Sequence, residues 1–469
     1  MPAIDPYTTL PREGQCDGSL SFPEGIGPVV MWTPDCDKGP ITPPHPSSSA
    51  NLGSGHDLPR AAVAFPRNPN DELLLDFVME PELVDFSGIP GGDPGRAWKS
   101  EKGDYWNCIF QINTNNLTNW SVPSTMQVPG TSGRYTSTDP KLLHWTLADP
   151  KFAAVIDANG KETGAAIAGI GAPMFYPIPN APPEMSHMIT SDQGEVWAVG
   201  HYDPETEKML VHENMTQVRV VEGVNFLFTT TGQATDENRL LQAGWLWSGS
   251  WQGSNTSDCW ENNCGILGTG FSLVRDVRWD STANQLIAPP VPEYSKLHGT
   301  RLVSEAAKEL KAGELWTLHI AGSQGSAVEL RLTVPVLTAT ATSVSVAALA
   351  PPTTTSGALQ VSLNVSSAPF ANGSRAASLS VRNEFAPPHR NQTTTSVSPF
   401  LVLPAEHTVS LQIFIDRVVV EAFAMGGKAA VIANEFSPDP QSTIHVYAEG
   451  GATVRNVSVW SMGCGYAPL

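Results

Sequence analysis

The stretch LQIFIDRVVVEAFAMGG, running from Leu411 to Gly427, decides the fold. Leu411, Ile413 and Ile415 alternate with other residues, Asp416-Arg417 makes a polar break, and Val418, Val420, Ala422 and Phe423 continue beyond it. Successive side chains of a strand point to opposite faces, so a period of two on either side of a short charged break predicts two half-buried strands joined by a tight turn. No helical spacing fits these positions as well. The second strand carries Glu421 inward, where a carboxylate needs a hydrogen-bond partner; the role expected for it is a bond at a domain interface.

The rest of the chain extends the β reading. At 469 residues it is long enough for two domains with full cores. With 40 Gly, 40 Pro and 16% charged residues, it reads as many short strands joined by turns, and all-β is the predicted class. The net charge of −19 excludes nucleic acid as a partner, because a phosphate backbone needs clustered Lys and Arg. No apolar run reaches the roughly 18–20 residues that span a bilayer, and the opening MPAIDPYTTL has neither a basic start nor an apolar core. No membrane association is expected.

Eight Asn-X-Ser/Thr sequons, at Asn116, Asn119, Asn214, Asn255, Asn364, Asn372, Asn391 and Asn456, point to the secretory route, with secretion or vacuolar delivery as the expected destination. Six cysteines, Cys16, Cys36, Cys108, Cys259, Cys264 and Cys464, suit an oxidising compartment; Cys259 and Cys264 are the first pair to join, and free buried thiols are the alternative. A four-residue gap between those two, without a second pair, gives no zinc site. No metal cluster, phosphate-binding glycine loop or Ser-His-Asp spacing rises above background, and no cofactor is predicted.

Three regions follow from the pattern. Residues 1–292 hold short apolar runs between Gly, Pro, Asn and Asp clusters, the mark of a propeller or sandwich, together with eleven of the 13 tryptophans. Most of those indoles are expected to pack between blades, the remainder to floor a sugar site. Residues 293–312 form a linker whose SEAAKELKA, Ser304–Ala312, predicts a short helix. Residues 313–469, with alternation over Leu330–Ala350 and Leu359–Val365, form a β-sandwich.

The opening stretch closely resembles a segment of the β-sandwich in glycoside hydrolase family 32, the invertases and fructan hydrolases. Further segments resemble that family's propeller in collinear order: PAI at Pro2–Ile4 with CDGSLSF at Cys16–Phe22, VVMWT at Val29–Thr33, YTSTDPKLLHW at Tyr135–Trp145, AVGHYDPETEKM at Ala198–Met209, LLQAGWLW at Leu240–Trp247, and FSLVRDVRWD at Phe271–Asp280 with QLIAPPVPEYSKL at Gln285–Leu297. The resemblance implies a five-bladed-type β-propeller, its first blade incomplete, followed by a β-sandwich. It also implies retaining hydrolysis of β-fructofuranosides, in which a nucleophile and an acid/base stand about 5–5.5 Å apart.

The motifs that carry this chemistry are altered. The nucleophile's N-D-P-N-G has no match, and Asp5-Pro6 reads as a turn. Where the family has D-F-R-D-P-x-x-A-W, this chain has DFSGIPGGDPGRAW, Asp85–Trp98, in which Asp93, Pro94, Ala97 and Trp98 match. Asp93 is the candidate transition-state stabiliser, with Arg96 a partial replacement for the lost guanidinium; a plain turn at Asp93-Pro94 is the competing reading. In IGAPMFYPIP, Ile170–Pro179, the acid/base Glu falls on Gly171 and the substrate-binding Asp on Met174. Glu162 and Glu184 flank the segment as the remaining carboxylates.

Candidate sugar-binding residues are Asp17, Arg96, Trp98, Tyr202, Asp203, Trp245 and Trp247, with an exposed strand end as the bland alternative for Asp17. The expectation is a secreted non-catalytic relative that binds carbohydrate or a protein partner. Its alternative is an active fructosidase with a displaced acid or a first blade supplied elsewhere. An open propeller edge calls for cover by a rearranged strand, a partner chain or a second copy in a homodimer.

Overall fold

The structure, a computed structural model, describes residues 15–23, 27–34, 61–68, 76–87, 94–112, 131–165, 167, 173–190, 197–219, 221–224, 226–234, 238–247, 269–320, 327–336, 341–350, 359–383, 394–416, 419–434 and 443–463. Contacts divide the chain into two compact units, Met1–Pro177 with Pro182–Val218, and Ile178–Ala181 with Arg219–Leu469.

The first unit contains three blade-like antiparallel sheets. One is β1 (Gln15–Ser21), β2 (Val29–Pro34), β3 (Ala62–Pro66) and β4 (Phe77–Met79), paired in that order. The next begins with β5 (Asp85–Ser87), then β6 (Trp98–Lys99), β7 (Trp106–Ile112), β8 (Thr131–Ser137) and β9 (His144–Asp149), with β5 adding in parallel to β9. The third has β10 (Ala153–Ile156), β11 (Met174–Pro177), β12 (His187–Thr190), β13 (Trp197–Asp203) and β14 (Lys208–His212), with β10 parallel to β14. Each of the last two sheets thus takes its outermost strand from the chain that leads into its own blade. Trp32, Trp106, Trp145 and Trp197 are buried, so these indoles serve blade packing. Trp145 donates Nε1–H to the carbonyl of Leu142 at 2.7 Å.

The second unit opens with β15 (Val221–Val224), which leaves the blades and adds in parallel to a sandwich strand, Val221 opposite Ala430. A fourth blade sheet follows, β16 (Phe226–Ala234), β17 (Arg239–Trp247), β18 (Thr269–Phe271), β19 (Arg275–Asp280) and β20 (Gln285–Ile287). The sandwich strands are β21 (His298–Leu310), β22 (Leu315–His319), β23 (Ala327–Pro335), β24 (Thr342–Ala350), β25 (Leu359–Pro369), β26 (Arg375–Asn383), β27 (Thr394–Val402), β28 (Thr408–Asp416), β29 (Val419–Ala424), β30 (Ala429–Asn434), β31 (Thr443–Tyr447) and β32 (Ala452–Met462). One sheet runs β15-β30-β29-β28-β23-β32-β21 and its partner β22-β31-β24-β25-β26-β27. The blade β16–β20 therefore belongs to the same compact unit as the sandwich, and contacts part the chain near residue 218 rather than at 292.

The predicted helix at Ser304–Ala312 is corrected: Ser304–Leu310 is the second half of strand β21. Helix propensity favours Glu, Ala and Lys by only tenths of a kcal/mol per residue. Antiparallel pairing with β32, from Arg301 opposite Trp460 to Leu310 opposite Ala452, and burial of Leu310 outweigh it. The same charged residues suit an edge strand, where Glu305, Lys308 and Glu309 discourage pairing with another chain. A short 3₁₀ turn does stand at the junction, at Pro292–Leu297.

The opening stretch forms the expected strand pair, β28 against β29, with Ile415 opposite Val420 and Ile413 opposite Ala422. Leu411, Ile413, Ile415, Val420, Ala422 and Ala424 enter the sandwich core, where truncating a residue such as Ile413 to Ala costs about 2–5 kcal/mol. Glu421 stands on the opposite face, opposite Phe414, and is also buried. Its Oε1 accepts the backbone N–H of Leu273 at 2.5 Å, which ties the sandwich to the segment between β18 and β19. Burial pushes the Glu421 carboxyl up to about 7, against the pull of Arg275 and the Leu273 bond. At the end of the stretch Gly427 has φ +89, and a Cβ there would lie 2.3 Å from the nitrogen of Pro289. The Gly-Gly ending thus has a physical cause, a left-handed turn pressed against another backbone.

Candidate functional site

Three segments far apart in sequence converge in the first unit. Ser19, in β1, donates its hydroxyl to the carbonyl of Gly95 at 2.7 Å, and Ser21 accepts the N–H of Ala97 at 2.9 Å. Cys108, in β7, is a free buried thiol that donates to the same Gly95 carbonyl at 3.1 Å. Gly95 in turn lies against the segment that leads into β11, so close that a Cβ on it would stand 2.4 Å from the carbonyl oxygen of Pro173. Ser19–Ser21, Gly95–Ala97 and the Pro173 end of β11 are therefore one locus.

Side chains projecting from this locus form an aromatic cluster. The Trp98 ring lies 5.1 Å from Phe175, 5.8 Å from Phe152 and 6.2 Å from Tyr202. His187 stacks on Phe175 at 5.1 Å with 9° between the planes, and its Nδ1 lies 2.9 Å from the Ser186 hydroxyl. The Arg96 guanidinium stands 5.9 Å from the centre of the Tyr176 ring. Of the residues predicted from sequence, Trp98 and Tyr202 are brought together here, while Arg96 stands against Tyr176, the neighbour of Phe175 in β11 and hence on its other face. Phe152, Phe175 and His187 join them without having been predicted. The apolar positions gave no hint beyond core packing, and a lone histidine next to a methionine carries no spacing signal.

The electrostatics of the cluster are neutral. Burial pulls His187 down to about 4, with repulsion from His201 adding to it. Burial also raises Tyr202 to about 12, and Tyr176 to about 12 against the opposing pull of Arg96. At neutral pH these groups hold hydrogen-bonding polarity and ring faces but no charge that titrates, a combination suited to a hydroxylated, uncharged ligand.

The carboxylates near the locus have other occupations. Asp203 caps the β13–β14 turn, accepting from the N–H of Glu205 at 2.9 Å and the hydroxyl of Thr206 at 2.6 Å. Those bonds hold its carboxyl below the usual range. Glu162 is exposed on an isolated bridge to Ile156, and Glu184 is exposed in the 3₁₀ turn Pro183–Met185. Met174 is the buried first residue of β11. Asp93, Gly171 and Ala172 lie outside the described residues, as do the side chains of Asp17, Trp245 and Trp247 and the pair Cys259 and Cys264. Among the sequons, Asn214, Asn364, Asn372 and Asn456 are exposed; Asn116, Asn119, Asn255 and Asn391 lie outside the described residues.

A buried polar network supports the cluster and was not legible beforehand. Glu207 accepts from Ser100 at 2.6 Å, Tyr105 at 2.8 Å, Asn107 at 3.2 Å and Arg134 at 2.8 Å. Burial pushes its carboxyl up, yet the bonds from Ser100, Tyr105 and Asn107 and the charge of Arg134 outweigh this, leaving it below the usual range. Ser100 follows the strand that bears Trp98, and Glu207 follows the strand that bears Tyr202. The Ser100–Glu207 hydrogen bond thus joins the two strand ends from which those rings project.

Comparison with known proteins gives the fold its relatives. Residues 304–461 match the family described as glycosyl hydrolases family 32 C terminal. A rice (Oryza sativa subsp. japonica) beta-fructofuranosidase, insoluble isoenzyme 6, is 24% identical over 359 residues, 69% of this chain and 52% of the relative. A fructan 6-exohydrolase of Triticum aestivum is 21% identical over 370 residues, 71% of this chain and 54% of the relative. The chain spans about half the length of these curated relatives. Fructan 1-exohydrolase IIa of Cichorium intybus superposes with a TM-score of 0.72 at 18% identity, covering 98% of this chain and 86% of that one. A variant of that enzyme in complex with 1-kestose gives 0.69 at 18% identity, with 96% and 84% covered. The fold is thereby that of a β-propeller followed by a β-sandwich.

Proposed function

We propose that this protein, whose residues 304–461 match the C-terminal domain of glycosyl hydrolases family 32 and which is similar to beta-fructofuranosidases and fructan exohydrolases, is a secreted, non-catalytic relative that binds a neutral carbohydrate at the Trp98–Tyr202 cluster. The observation that carries the reading is the state of the APMFYP segment. Its register is held by Pro173 against Gly95 and Phe175 against Trp98, yet Met174 is buried and apolar where the family's motif has a sugar-binding acid. By the same register the acid/base position is Gly171. Loss of an acid/base alone removes typically 10²–10⁴-fold of rate, and loss of the nucleophile removes the covalent route.

Ring faces at Trp98 and Tyr202 and the hydroxyl of Tyr202 are groups that hold sugars without reacting with them. Relatives of the same fold have been solved with 1-kestose and with fructosyl-erythritol, which favours a carbohydrate over a protein partner. Exposure of the four described sequons supports passage through the secretory route.

The test is direct. Purified glycoprotein incubated with sucrose, inulin or levan is expected to release no fructose above a heat-killed control. Turnover that Asp93→Asn abolishes would overturn the non-catalytic reading in favour of an active fructosidase using the acid of the D-P-G-R-A-W segment.

A further inference from the structure

A cleft of about 480 Å³ opens in the second unit, between the end of the blade segment and the sandwich strands β23, β28 and β32. Tyr294, Arg331, Gln412, Asn456 and Trp460 line it, and no aspartate or glutamate does. In a chain of net charge −19 that composition makes the cleft an exception to the surface around it.

The carboxylates behind its wall are already committed, Glu421 to the N–H of Leu273. Glu293, next to Tyr294, is bonded to Arg239 at 2.6 Å. Glu329 is fully buried and receives His298 at 2.5 Å, Gln412 at 2.9 Å and the Nε–H of Arg331. Glu329 occupies only the Nε edge of that guanidinium. The Nη groups of Arg331 carry no hydrogen bond among the described residues, and the side chain lines the cleft with its guanidinium carbon 5.3 Å from the centre of the Trp460 ring. A second guanidinium, Arg301, stands 5.4 Å from the same ring and donates to Ser458 at 2.6 Å. His298 stacks on Trp460 at 4.7 Å. Two guanidiniums thus stand against a single indole, and only that of Arg331 is paired with Glu329.

We propose that this cleft binds an anionic carbohydrate, a sugar bearing a carboxylate or a sulfate ester, with the free edge of Arg331 as the anion's partner. The planar guanidinium presents two parallel N–H donors to such a group, a geometry that a lysine cannot copy. Gln412 and Asn456 add carboxamide oxygens for the hydroxyls of the same sugar, and Tyr294 adds a hydroxyl already fixed by the N–H of Val274 at 2.7 Å. The faces of Trp460 are taken up by His298 and the arginines, so recognition rests on polar edges rather than on ring stacking. The long-range repulsion of a −19 chain does not decide the matter, because charges beyond about 8 Å are largely screened at physiological salt. All the lining residues belong to the second unit, so failure here leaves the reading of the first unit untouched.

The experiment is calorimetric titration of the full-length glycoprotein with three probes: tri-galacturonate, its fully methyl-esterified form, and a sulfated disaccharide. Because Asn456 is itself a sequon at the cleft, the protein is titrated before and after enzymatic deglycosylation. The expected result, in either glycoform, is binding of at least one acidic probe. It should weaken with added salt, weaken at least about tenfold in Arg331→Gln and fall in Arg331→Lys, which keeps the charge and loses the fork. Esterification should cost the uronide at least about tenfold, and a preference between the two acids identifies the anion. If neither acidic probe binds, if acid and ester bind equally, or if Arg331→Gln binds as the parent does, the proposal is wrong. The salt and ester comparisons use the unmodified chain, so they stand even where removing Arg331 from Glu329 prevents folding.

Discussion

Glu421→Gln is the perturbation with the most specific consequence. In the folded chain the Glu421 carboxyl is buried, accepts the Leu273 N–H at 2.5 Å and titrates near 7. In the unfolded chain it returns to the ordinary 4.5. Between those values the folded state holds a proton that the unfolded state has released, so unfolding free energy falls as pH rises. A displacement from 4.5 to about 7 amounts to about 3 kcal/mol, all of it lost by pH 8 and none of it below pH 4. Glutamine keeps an acceptor for Leu273 and cannot ionise. The variant is therefore expected to match the parent near pH 4 to 5 and to lack this component of the parent's decline above it.

Urea unfolding at pH 4.5 and pH 8 reads the difference, in the transition of the second unit, since a chain of two compact units need not unfold in one step. If parent and variant change by the same amount, within about 0.5 kcal/mol, the carboxyl does not titrate in that window and the account of Glu421 is wrong. Glu421→Ala supplies a contrast: it leaves the Leu273 N–H without its acceptor and costs about 1–3 kcal/mol relative to Glu421→Gln at every pH.

Two further predictions concern the first unit. Arg134→Leu leaves Glu207 charged inside the fold and is expected to destabilise by about 3–5 kcal/mol, with Arg134→Leu/Glu207→Leu recovering much of the loss; chemical denaturation with Trp fluorescence measures both, and an undamaged single variant would refute the network. The same network gives an acid limb, because a carboxyl held low stabilises above its unfolded pKa and loses that contribution as pH falls through the folded one. His187 is expected to titrate near 4 by NMR of its ring protons, against about 6.5 for an exposed imidazole. Its folded value lies below its unfolded one, so it withdraws stability as pH drops from about 6.5 toward 4, and a midpoint above 6 would contradict its stacked, buried placement.

The strand pair at Leu411–Gly427 was legible because its pattern is local: alternation fixes which side chains enter the core, and Leu411, Ile413 and Ile415 do so. Ser304–Leu310 was misread for the opposite reason. Its helix-forming composition is also local, but the pairing that overrides it comes from β32, well over a hundred residues away. Arg96, Trp98 and Tyr202 could be nominated from motifs, whereas Phe152 and His187 could not, because nothing in their spacing distinguishes a ring in a cluster from a ring in a core. The Arg134–Glu207 bond spans 73 residues and leaves no pattern in either neighbourhood.

Sequence alone determined the all-β class, the order of segments and the positions of the sequons, because each is a statement about residue identity or short-range periodicity. Tertiary structure decided which of those residues meet. It pressed Gly95 onto Pro173 and Gly427 onto Pro289, carried β15 into the sandwich sheet, turned Asp203 from ligand candidate to turn cap, and left one edge of Arg331 open in a cleft free of acids. Burial and partners act through space, and a chain of short strands brings its partners from any distance along it.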